Sequence, residues 1–309
     1  SVTKEPELPP LSPEEIQQKL ISVAIEAKSA DAAEQVATLD ALKESGDLRL
    51  WGVSQAPTFK ATNIGQLQRE YGLDAITLGL AAEDSLDELK AALFAVTAFS
   101  SIMAVLSGVV VGGNAGATLT YLFAVLPIIF LGVGSTAPGL ISAVIEVGKT
   151  RLDPKYGERR IKHEAAHFLM GYLCGVPIQG YDVDGALPEV TLYDTRKGAL
   201  TRAPMDMRLT RDEANGLSVV AMSGAVAEVN AMGDAKGGQQ DLELLNKILQ
   251  RVDPPLSPDQ MQQQTRWAAA EAARLLKTHD GAYQSLVGAL EQKCSVAECI
   301  AKLETAKQA

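Results

Sequence analysis

His163-Glu164-Ala165-Ala166-His167 spells HExxH. On a helix, histidines at i and i+4 share one face, so both imidazoles can hold one Zn²⁺, and the Glu beside the first can take a proton from the metal-bound water. Zinc lowers that water's pKa toward neutrality and polarises a carbonyl, which is the chemistry of amide hydrolysis. The competing reading is a pair of ordinary surface histidines on a helix. The third histidine, His279, follows a helical segment and reads as a surface residue.

A catalytic zinc needs a third protein ligand and an open position. The metzincin pattern would require Gly at 170 and His at 173, where the chain has Met170 and Leu173, so that form is excluded. Glu189, in the loop-like Ala186-Leu187-Pro188-Glu189, offers a thermolysin-like carboxylate, although nothing helical surrounds it. Asp184-Gly185 is the dipeptide an intramembrane protease would bring from a later span, yet it follows the motif closely and lies in polar sequence. The remaining candidate is Asp241. It opens a helix expected through Gln250, directly after the glycine loop Gly233 to Gly238. Its alternative role is that of an ordinary first-turn acid.

The elements that must position these groups are mostly helical. Glu158 to Leu173 reads as one amphipathic helix carrying the motif, and Glu213 to Met232 as an Ala-rich helix small enough to pack closely against it. Further helices are expected at 258–277, 282–292 and 296–306. Cys294 and Cys299, five apart, would point to different faces of a continuous helix, so reduced thiols are expected, with Cys174 in the core. Residues 1 to 10 read as a proline-rich lead-in. Ser12-Pro13-Glu14-Glu15 marks a helix start, with helices following at 31–44, 64–71 and 80–90 around a loop at 48–63. No catalytic pattern occurs there, and residues 1–90 read as a small acidic helical docking module.

From Ala91 to Ile145 there is no Asp, Glu, Lys, Arg or His. Leu93 to Val111 and Ala117 to Val133 are each near the ~20 apolar residues that cross a hydrocarbon core, with a turn expected at Gly112 to Gly116. The segment Pro138 to Ile145 either extends the second helix or lies along the interface. Lys149, Arg151, Lys155, Arg159, Arg160 and Lys162 face only Asp153 and Glu158, a basic cluster typical of the non-translocated side. A hairpin therefore puts both flanks on the cytoplasm-like side of a lipid bilayer. The start at Ser1-Val2-Thr3 fits a removed presequence.

The chain has 309 residues, 28 Lys+Arg against 38 Asp+Glu and a net charge of −10. That acidity argues against nucleic acid as a partner, because phosphate contacts need a clustered cationic excess. Three cysteines are too few for a disulfide-stapled scaffold.

Taken together, HEAAHFLMGYL, VPIQGYDV, MSGAVAEV and GGQQDLELL resemble the peptidase domain of FtsH-type membrane zinc proteases, over roughly residues 155 to 305. The resemblance extends to the FtsH-like proteins of plant and algal plastids that lack the ATPase. It implies a Zn²⁺ cofactor with His163, His167 and Asp241 as ligands, Glu164 as catalytic base and Glu228 as a partner behind the ligands. It further implies a mainly α fold: a transmembrane hairpin at 91–146, then a helical zinc-peptidase domain at 147–309 with a small strand element. Two positions depart from the family, Ala166 for its Gly and Ala225 for its Arg. The ATPase module between membrane and protease is also missing. The nearest phosphate-loop match, Gly148-Lys149-Thr150, has Ala143 in place of the first Gly. The expected function is a membrane-anchored zinc metalloendopeptidase without its own motor, acting on membrane-protein or unfolded-protein segments. A separate AAA-type ATPase or a larger membrane complex is the implied partner. A non-proteolytic subunit or assembly factor keeping the fold is the alternative. The resemblance places the protein in a plastid membrane, thylakoid or inner envelope, with its soluble parts facing the stroma; a bacterial inner membrane suits the same physics.

Overall fold

A computed structural model describes residues 12–22, 32–55, 57–80, 83–136, 154–184, 189–194, 198–199 and 208–307. The described chain is mainly helical with one small sheet, and it divides into two compact units.

The smaller unit contains the apolar helices α4 (Glu83–Leu106) and α5 (Gly113–Thr136). Both are long and apolar enough to cross a membrane, over Lys90–Val111 and Gly113–Thr136. Their outward side chains, among them Phe94, Ile102, Val109, Leu122 and Ile128, are exposed on a surface that water would penalise and lipid would not. The reversal is tighter than the five-residue turn expected from sequence. The last turn of α4 widens into a π-type segment, Ser107–Val111, and Gly112 and Gly113, at φ +63° and +58°, turn the chain straight into α5. Gly116 permits the close approach, since a Cβ there would lie 2.7 Å from the Ser107 carbonyl. Thr120 adds a hydrogen bond to the Ala104 carbonyl at 3.0 Å. Residues 138–145 lie outside the described residues.

The larger unit joins residues up to 80 to the carboxy-terminal half. It holds α1 (Pro13–Ser22), α2 (Ala32–Glu44), α3 (Ile64–Tyr71), α6 (Pro154–Leu173), α7 (Arg211–Met232), α8 (Gly238–Leu249), α9 (Pro258–Thr278), α10 (Asp280–Glu291) and α11 (Val296–Thr305). Capping boxes start α7, α9 and α11 at Thr210, Ser257 and Ser295, each satisfying helix-terminal N–H groups that would otherwise lack partners. Strands β1 (Ile178–Asp182), β2 (Glu189–Asp194) and β3 (Gly198–Ala199) pair antiparallel in the order β1-β2-β3, Tyr181 opposite Val190.

Helix α7 is the hub: every residue from Ala214 to Glu228 is buried. Its Ala, Gly and Ser positions let α6, α8 and α9 approach its backbone. Where the sequence reading set residues 1–90 apart as a docking module, described residues between Ile16 and Leu80 share this core. Trp51 is 2% exposed, packs at a tilt against Tyr172 with ring centroids 5.2 Å apart and donates its indole N–H to Asp40. The backbone N–H groups of Gly52 and Ser54 bond the Tyr172 and Leu173 carbonyls, tying the amino-terminal residues to the end of α6. Glu304, buried on α11, accepts from the backbone N–H of Arg49, Leu50 and Trp51 and from the Tyr172 hydroxyl.

Candidate metal centre

Helix α6 presents Arg159, His163 and His167 one turn apart on the face toward α7. The imidazole Nε2 atoms of His163 and His167 lie 3.0 Å apart, and Asp241 Oδ1, from the first turns of α8, lies 3.4 and 3.2 Å from them. Tetrahedral coordination at about 2.0–2.1 Å sets ligand atoms roughly 3.3 Å from one another, so these edges match one ion's shell. The three residues form the group able to hold a metal ion among the described residues.

The outer atoms of each ligand settle its orientation. His167 Nδ1 lies 2.8 Å from the Val220 carbonyl, which can only accept, so the proton sits on Nδ1 and the Nε2 lone pair faces inward. His163 Nδ1 lies 2.7 Å from Glu228 Oε1, with the same consequence. Asp241 Oδ2 accepts the Ala225 N–H at 2.8 Å, leaving Oδ1 for the centre. Two imidazole lone pairs and a carboxylate oxygen thus converge. A cation between them removes that repulsion; short of one, the group must trap a proton.

The electrostatics agree. Burial works against charge on both histidines, but Asp241 outweighs it, raising His167 above the ordinary imidazole range and His163 well above it. Burial likewise opposes ionisation of Asp241, and the two imidazoles override it, holding the carboxyl far below its usual range. Glu228 is buried too, yet its bonds to His163 and Arg159 keep it ionised. Arg159 Nη1 lies 2.8 Å from Glu228 Oε2, and its guanidinium also bonds the Asp234 carbonyl and side chain. The backbone N–H groups of Lys236 and Gly237 complete the Glu228 carboxylate at 2.7 and 3.1 Å.

Glu164 differs from all of these. It is 3% exposed, burial raises its pKa above the usual carboxylate value, and its Oε2 has no hydrogen-bond partner among the described residues. The Val190 backbone N–H of β2 bonds its carboxylate.

Two glycines admit the histidine. A Cβ on Gly224 would lie 2.3 Å from His163 Nε2, and one on Gly237 would lie 2.6 Å from its Cε1. The glycine loop is clamped from the amino-terminal side: Ala235 donates its N–H to the Thr77 carbonyl at 2.7 Å, and a Cβ at Gly238 would overlap the Leu78 carbonyl.

All the residues expected at the site, His163, His167, Asp241, Glu164 and Glu228, come together. The two competing carboxylates do not join them. Glu189 is exposed, opposite Asp182 at the start of β2, and Asp184 is exposed while Gly185 lies outside the described residues. Sequence reasoning missed Arg159, Gly224, Gly237 and the Val220 and Val190 backbone groups. Arg159 had a signal, the i, i+4, i+8 spacing with the histidines, but it had been assigned to the basic cluster beside the membrane. His279 is only partly exposed, and its buried Nδ1 has no partner among the described residues.

The site thus brings two histidines and an aspartate into a group that could hold a metal ion, with a buried, half-satisfied glutamate beside it. No known protein family, curated protein or solved structure matches the chain.

Proposed function

We propose that the protein is a membrane-anchored zinc metalloendopeptidase of the FtsH-like type, without a motor of its own. The observation that carries this reading is Glu164. A structural metal site has no use for a buried carboxylate with an unpaired oxygen next to two ligands, whereas hydrolysis needs one there.

His163, His167 and Asp241 would hold the ion, leaving a fourth position open, and a zinc ion bound there supplies an activated water and polarises the scissile carbonyl. The chain's own groups do the rest. Glu164 Oε2 accepts the water proton and returns it to the departing amine nitrogen, a task favoured by its raised pKa. Arg159, Glu228 and the Lys236–Gly237 N–H groups hold His163 in one tautomer and orientation. The hairpin α4–α5 would anchor the chain in a bilayer, and the resemblance to ATPase-lacking plastid proteins makes a thylakoid or inner-envelope membrane, stroma-facing, the proposed location. Substrates would be membrane-protein or unfolded segments that need no ATP-driven unfolding, or those delivered by a separate AAA-type ATPase.

The missing phosphate-binding loop favours one other reading, a subunit or assembly factor of a membrane complex in which the metal centre is retained for its fold. Casein hydrolysis by the zinc-loaded chain separates the two. Activity abolished by Glu164→Gln with zinc retained supports the enzyme; a zinc-loaded wild type inert toward casein and toward unfolded membrane-protein segments supports the scaffold.

A further inference from the structure

The larger unit contains a concave site whose lining includes none of the three metal-ligand candidates. A pocket of about 510 Å³ opens between α3, the 74–80 loop, α8 and α9. Its wall is apolar, made chiefly by Leu67, Leu78, Leu80, Leu242 and Met261. That volume falls within the ~300–1,000 Å³ range of small-molecule sites. A peptide helix, about 10 Å across, would exhaust it in little over one turn, so the space suits a single flexible chain.

Two charged residues line the pocket, and they are not equivalent. Asp74 is occupied: its Oδ1 accepts the Ile76 and Thr77 backbone N–H groups at 2.9 and 2.8 Å, and its Oδ2 the Gln68 amide at 3.4 Å. Arg266 bonds only through Nε, to the Thr62 carbonyl at 3.2 Å, and its two Nη groups have no partner among the described residues. A planar guanidinium fork at an apolar pocket matches a carboxylate carried on a hydrocarbon. The source is close in the chain: Leu80, a wall residue, is ten residues before Lys90, where the first apolar span begins.

We propose that this pocket binds a long-chain fatty acid drawn from the bilayer, its carboxylate on Arg266 and its chain along Leu67, Leu78 and Met261. The site stands apart from the metal centre in its ligand and its test.

The full chain in phosphatidylcholine nanodiscs is photolysed with palmitate bearing a mid-chain diazirine, and the adducts are mapped by mass spectrometry. Adducts are expected on peptides containing Leu78 or Met261, competed by palmitate but not by methyl palmitate. Thr265→Trp, which fills the pocket, should remove them. Arg266→Gln should weaken competition about tenfold, the loss of one charged hydrogen-bonding group, and guards against a fold defect in the larger substitution. Adducts confined to residues 90–136, pocket adducts indifferent to both substitutions, or methyl palmitate competing equally would each overturn the proposal.

Discussion

His163 Nδ1 lies 2.7 Å from Glu228 Oε1, and Glu228 is in turn gripped by Arg159 and by the Lys236 and Gly237 N–H groups. The orientation of one ligand on α6 is therefore set by a carboxylate on α7 that never reaches the centre itself, and that carboxylate by the glycine loop leading to Asp241. Three elements that supply the site lock one another.

Glu228→Gln tests that lock. An amide can accept from His163, but its NH₂ then faces the donors of Arg159 and Lys236. Zinc affinity is expected to fall about 10- to 100-fold, the usual cost of losing a group behind a ligand. Competition with a chromophoric chelator measures it, and an unchanged affinity would show that His163 needs no such support.

Gly224→Ala changes no ligand residue and adds one methyl group. In most helix interiors that change stabilises by about 1 kcal/mol. Here the new Cβ would lie 2.3 Å from His163 Nε2, so the ring must move off the centre. Zinc content is expected to collapse while helical circular dichroism is retained; full metal occupancy would contradict the packing described.

Glu304→Ala probes the junction between the amino-terminal residues and the core. It would strand the N–H groups of Arg49, Leu50 and Trp51 and the Tyr172 hydroxyl, of which Leu50, Trp51 and Tyr172 are buried. A loss of about 3 kcal/mol is expected from unpaired buried donors, read as a lower denaturant midpoint. A midpoint within experimental error of wild type would mean that residues 48–51 are not anchored there.

What local spacing can encode was legible. HExxH placed two imidazoles on one helix face, and the Gly233–Gly238 loop pointed to Asp241. The uncharged stretch announced α4 and α5, and Ser12-Pro13-Glu14-Glu15 marked a helix start. What depends on distant partners was not legible. Glu304 meets residues about 255 positions away, and nothing near it in sequence distinguishes it from any acid on an amphipathic helix. Gly224 lies among Ser223, Ala225 and Ala227, where one more small residue carries no signal until the His163 ring is placed against it. The tie of residues 77–80 to the glycine loop is made by backbone groups, which every sequence offers alike.

Cysteine reactivity follows from burial. Cys174 and Cys299 are buried and burial pushes their thiols up to about 12, so at pH 8 both stay protonated. Cys294 precedes α11 rather than lying within it, is partly exposed and has the Lys302 ammonium 3.2 Å from its sulfur. Native alkylation with iodoacetamide at pH 8 is expected to modify Cys294 alone, with Cys174 and Cys299 reacting after unfolding. Early labelling of Cys174 would contradict the packing at the end of α6.

The central claim is the metal centre, and zinc content of the detergent-solubilised full chain tests it most directly. One zinc per chain is expected for the wild type and for Glu164→Gln, with loss in His163→Ala and in Asp241→Ala. A wild type without zinc at neutral pH, purified free of chelators, would contradict the account.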